Sequence, residues 1–121
     1  MQVMTTLPQE NLNDVPQAAR NAEMVGFDMV ATMENRYEPF MPLAAAAIST
    51  KTINIGTAVA IAFPRSPMVV ASTCWDLQNA SDGRFVLGLG PQIKPHNEKR
   101  FSVPWSPPAP RIREYVLALR A

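Results

Sequence analysis

Residues 53–90 read INIGTAVAIAFPRSPMVVASTCWDLQNASDGRFVLGLG, and two apolar runs flank a helical stretch in it. Ile53 to Phe63 is an apolar segment of strand length. Ser66-Pro67 then opens a helix. A serine side chain can accept from the first turn, and proline at the first helical position gives up an N–H that has no partner there. Gly83 supplies the stop. RFVLGLG follows as a second apolar run. Neither run alternates cleanly between apolar and polar residues, which predicts parallel strands covered on both sides. Strand, helix and strand in this order predict an α/β fold with a parallel sheet.

The pattern repeats outward. QVMTTL (2–7) reads as a strand. Asn13 or Asp14 can cap a helix with Pro16 in its first turn, and Val15, Ala19, Ala22 and Val25 share one face. Gly26 ends that helix. FDMVAT (27–32) reads as another strand, and FMPLAAAAISTKT (40–52) as a helix whose alanines let it lie close to a sheet. Six of the twelve prolines fall between Pro91 and Pro110, which predicts a long stiff loop, a common place for function. A fourth helix is expected from Pro110 or Arg111. Four strands thus alternate with four helices.

The bulk properties narrow the function classes. With 121 residues the chain has room for one domain. Eleven basic and ten acidic residues leave a net charge of +1, so no wholesale attraction to nucleic acid or an anionic membrane is expected. A single cysteine, Cys74, excludes an internal disulfide and points to a cytoplasmic setting. The first residues lack a signal-peptide pattern, and no apolar run is long enough to span a bilayer. One histidine and one cysteine cannot supply the usual zinc set, so no metal site is expected.

Several residues have chemistry worth following. LGLGP is not a dinucleotide fingerprint: the third glycine is missing and no helix opens directly behind it. Gly88 and Gly90 either relieve crowding in a curved sheet or face a cofactor, and both readings stand. The small residues Gly56, Thr57, Ala58 and Ala60 leave room for a ligand or for a close-packed helix. Glu34 stands after the second strand, where α/β proteins build sites, but a solvated loop acid would look the same. His96 lies among Lys94, Lys99 and Arg100, as an acid–base group, an anion contact or neither. Cys74 and Trp75, mid-helix, read as core.

Taken in order, FPRSP, WDLQNASDGRF, LGLG, QIKPH and VPWSPPAPRIREYVLALRA make the chain resemble the bacterial-luciferase-like superfamily. Within it, the resemblance is to oxidoreductases that use the deazaflavin coenzyme F420. The resemblance implies the N-terminal half of a (β/α)8 TIM barrel, about four βα units with parallel strands. A whole barrel takes roughly 250 residues. Residues 1–121 would then be one partial domain, cut in or after the fourth helix and inactive by itself.

It further implies a strand-three bulge with a non-prolyl cis peptide at Ala58-Val59, on which the coenzyme's tricyclic ring rests. Thr32 would lie at the ring edge, and Gly90 and Gln92 beside the cofactor. Glu34 would be a polar contact or proton handler, and His96 would stand near the substrate. The implied reaction passes hydride to or from a small organic substrate, with F420 as coenzyme or FMN as the alternative. A homo-oligomer is expected. The competing expectation is a non-catalytic half barrel whose open sheet edges pair in a dimer.

Overall fold

The computed structural model describes residues 1–121. Strand β1 is Met4–Thr6, and a 3-10 turn at Leu12–Asp14 leads into helix α1, Val15–Val25. Strand β2 (Met29–Thr32) and helix α2 (Phe40–Ser49) follow. The third strand is split into β3 (Asn54–Thr57) and β4 (Ala60–Ile61), and helix α3 spans Pro67–Ser81. The fourth is split into β5 (Phe85–Val86) and β6 (Leu89–Gly90). Two helices close the chain, α4 (Lys94–Arg100) and α5 (Pro108–Arg120).

All pairings are parallel. β1, β2, β3 and β5 form one sheet in that order, and β4 pairs with β6. Val30, Ile55 and Phe85 are level in the register and are buried with Ala19, Leu43, Ala46, Val70 and Leu77. The core is therefore the layer between sheet and helices. Neighbouring helices pack in chain order, α1 on α2, α2 on α3 and α3 on α5. The next register level, Ala31, Gly56 and Val86, belongs to the opposite face because side chains alternate along a strand.

Local rules explain most boundaries. Gly26 takes φ 98° and donates to the Ala22 and Glu23 carbonyls, ending α1. Ser66 Oγ accepts from the Val69 N–H at 3.2 Å, with Pro67 behind it. The alanine-rich α2 buries Leu43, Ala46 and Ala47.

Other expectations need correction. Asp14 caps α1 without a side-chain bond, and Asn11 instead accepts from the Asn13 N–H in the preceding turn. Val25, the last residue of α1, is exposed, and only Val15, Ala19 and Ala22 of that face are buried. At the end of α3, Asp82 shares the left-handed stop with Gly83. Trp75 is not core: it is 71% exposed on the outer face of α3. The sheet is not covered throughout on both faces, since Val86 is 49% exposed. The proline-rich segment is not all loop. Pro95 fits the first turn of α4, Lys99 and Arg100 sit in its last turn, and α5 starts earlier than expected, at Pro108. No helix is long and apolar enough to cross a membrane.

Candidate functional site

Both split strands break at one level, and side chains explain how. The Thr57 hydroxyl donates to the Gly88 carbonyl at 2.7 Å and accepts from the Gly88 N–H at 2.9 Å. It stands in for main-chain pairing where the ladder is interrupted. The Gly88 carbonyl also accepts from the Ala60 N–H at 2.9 Å, and the ladder resumes from Ala62 N–H to Gly90. A Cβ on Gly88 would overlap the Thr57 carbonyl oxygen. One on Gly90 would stand 2.7 Å from Val59 Cγ2. The two glycines thus let a bulged strand approach its neighbour. The Ala58–Val59 peptide in that bulge is cis.

On its other side the bulge is tied to the end of β2. The Ala58 N–H donates to the Thr32 carbonyl at 2.7 Å, and the Glu34 N–H to the Val59 carbonyl at 3.3 Å. Around this point opens a cleft of about 260 Å³ whose lining includes Glu34, Ala58, Val59, Gly90, Pro91 and Gln92. It lies at the C-terminal ends of parallel strands, where proteins of this architecture place their chemistry. Val59, 45% exposed, gives the cleft an apolar floor.

Glu34 is buried at the edge of this cleft. Its Oε2 accepts from the Ile61 N–H at 2.6 Å and from Arg65 Nη1 at 2.7 Å. The same Nη1 donates to the Ile61 carbonyl at 2.9 Å, and Nη2 reaches Glu38 at 3.3 Å. Burial pulls the Arg65 guanidinium down, but Glu34 and Glu38 together outweigh it and hold it above its ordinary value. Glu38 in turn accepts from the Phe40 and Met41 N–H groups, capping α2.

The far wall is Pro91 and Gln92. Pro91 has no N–H to offer a ligand. Gln92 takes φ 60°, and its Oε1 accepts from the Ile93 N–H at 2.9 Å. Fully buried Asn97 holds this wall from α4, its Nδ2 donating to the Pro91 carbonyl at 2.9 Å and to that of Ile93 at 3.1 Å. Arg100 ties α4 back to the opposite rim through the Asn35 carbonyl at 2.6 Å.

The structure therefore brings together Glu34, Ala58, Val59, Gly90 and Gln92. It does not bring Thr32 or His96 into the cleft. Thr32 is fully buried, and its hydroxyl donates to the Pro39 carbonyl at 2.8 Å, so it shapes the loop behind. His96 is exposed on α4. The reading of the residues missed Arg65 and Asn97, and took Thr57 only as a small residue, not as the hydroxyl that bridges to Gly88. FPRSP contains Arg65, but nothing local indicates that it reaches back to Glu34. Cys74 is half-buried, and burial pushes its thiol up to about 11, which suits an unreactive group. No cluster of His, Cys, Asp and Glu could hold a metal ion.

Comparison with known proteins adds the family. Residues 1–121 match the luciferase-like monooxygenase family, and the chain belongs to it. An uncharacterized protein of Mycobacterium tuberculosis is 55% identical over 104 residues, covering 86% of this chain and 31% of that protein. The coenzyme F420-dependent tetrahydromethanopterin reductase of Methanopyrus kandleri superposes with a TM-score of 0.80 at 26% identity, over 95% of this chain and 38% of that one. The FMN complex of the oxygenating constituent of 3,6-diketocamphane monooxygenase from Pseudomonas putida superposes with a TM-score of 0.81 at 18% identity, over 98% and 38%. The chain spans about a third of the length of the curated relatives it matches. Its parallel strands correspond to the N-terminal portion of the family's (β/α)8 TIM barrel.

Proposed function

We propose that the protein is an F420-dependent oxidoreductase that transfers hydride to or from a small organic substrate, with FMN as the alternative cofactor. The carrying observation is the cleft at the strand ends, with Val59 presented on a bulge and Gly90 beside it. The residues present fit a flat heteroaromatic ring. Ala58 and Val59 offer an apolar floor, Gly90 a wall free of side chain, and Gln92 and the Glu34 edge are polar. The likeness to an F420-dependent reductase supports this cofactor, and the likeness to an FMN-binding monooxygenase supports the alternative.

When bound, the deazaflavin supplies the ring carbon that gives or takes the hydride. The protein's own part is to bind, orient and exclude water. Val59 and Ala58 back the ring, Gln92 borders its polar edge, and Thr32 keeps the neighbouring loop in shape. His96 is assigned to the solvent side, where a substrate approaches and a proton can exchange. The proposed enzyme is cytoplasmic, and residues 1–121 form part of one barrel domain.

The test is an absorbance and fluorescence titration of the full-length protein with F420 and, separately, FMN. Saturable binding of one ring, lost in Val59→Asp, supports the reading. Absence of binding by both rings refutes it.

A further inference from the structure

We infer that Glu34 and Arg65 are positioning residues that hold the cofactor floor in place, and that Glu34 does not carry the reaction's proton. This deepens the proposed function and rests on it for what the floor holds. β2 ends at Thr32, one residue level with Thr57, while the third strand continues through the bulge to Ile61. One edge of β4 is paired with β6. The opposite edge has no strand beside it, and a buried N–H left there needs an acceptor.

Glu34 fills that vacancy in the ladder twice. Its main-chain N–H reaches the Val59 carbonyl at 3.3 Å, and its carboxylate takes the Ile61 N–H at 2.6 Å. Arg65 closes the ring, joining the Ile61 carbonyl at 2.9 Å to the Glu34 carboxylate at 2.7 Å. Ala60 is thereby bracketed by two bonds from one residue, one of which holds the Val59 carbonyl itself. Oε2 is committed to two donors of the chain itself, the Ile61 N–H and Arg65, and this use of the carboxylate shapes the floor.

The experiment uses the full-length protein and reads two things: exchange of the Ile61 amide without cofactor, and the pH profile of hydride transfer with F420. In Glu34→Ala and Arg65→Met, Ile61 exchange should rise at least about tenfold, the scale of losing a hydrogen bond to a charged group. Arg65→Lys should restore part of the protection. Glu34→Gln keeps an acceptor oxygen, so the shape of its pH profile should match the wild type while ring affinity falls. Unchanged Ile61 exchange in Glu34→Ala would overturn the clamp. A pH limb lost only in Glu34→Gln would overturn the claim about the proton. If the wild type binds neither F420 nor FMN, the proposed function fails, and Ile61 exchange still decides the clamp.

Discussion

Two arginines close opposite ends of the same sheet, and they do so differently. Arg84, at the N-terminal ends of the strands, spends all five N–H donors on neutral oxygens: the Ser81, Ile53, Ala47 and Thr50 carbonyls and the Thr50 hydroxyl. It gathers the C-terminal ends of α2 and α3, where carbonyls lack helical partners and the helix dipole favours a cation. Arg65, at the C-terminal ends, pairs with two carboxylates and a single carbonyl beside an open cleft. The lower end is satisfied within the chain, which suits stability. The upper end is held by charge and leaves an apolar floor facing solvent, which suits binding. Barrel architecture separates these tasks in the same sense.

The comparison breaks most readily at Arg84. Arg84→Met strands several buried carbonyls, and the expected loss is about 3–5 kcal/mol in a denaturant titration, with little change in ring affinity of the surviving folded protein. Next comes Gly88→Ala. The added methyl must displace the Thr57 carbonyl, so about 1–3 kcal/mol should be lost, together with ring affinity, because the bulge moves. Equal affinity in that variant would separate the bulge from the binding site.

A smaller effect belongs to Glu23, another device of the lower end. Burial pulls its carboxyl up, but the Thr52, Ile53 and Lys51 N–H groups outweigh that and hold it down at about 2, against an ordinary 4.5. A depressed carboxyl stabilises fully above its unfolded value and loses that contribution as pH falls from about 4.5 toward 2. Urea midpoints of Glu23→Gln should therefore fall less steeply over this window than those of the wild type. The smallest effect is expected at Trp75, exposed on α3. Trp75→Gln should stay within about 0.5 kcal/mol in thermal melts.

Legibility in the sequence followed the range of the interactions. Ser66, Pro67 and Gly26 act on their own turn, so their roles could be read directly. Trp75 could not be placed, because helical spacing says which residues share a face and not which face is covered. The cleft was partly legible. Ala58, Val59, Gly90 and Gln92 come from two strand ends, and the family resemblance pointed to them. Glu34 was read as a polar contact, a proton handler or a solvated loop acid, each without its partner, since Arg65 lies 31 residues away along the chain. Thr57 and Gly88 are separated by the same distance. A buried pair of this kind leaves no periodic trace.

The sequence by itself determined the alternation of strands with α1, α2, α3 and α5 and the parallel sheet. Those follow from apolar runs, caps and glycines, whose preferences act over a few residues. Only the tertiary structure decided that the fourth strand is split as well as the third, that Thr32 and His96 lie outside the cleft, and that Glu34 is locked by Arg65. Each of these turns on which distant donor meets which acceptor once the chain is folded. Hydrogen bonding and burial settle that in three dimensions, because a buried N–H or carboxylate must find its partner wherever the fold has brought one.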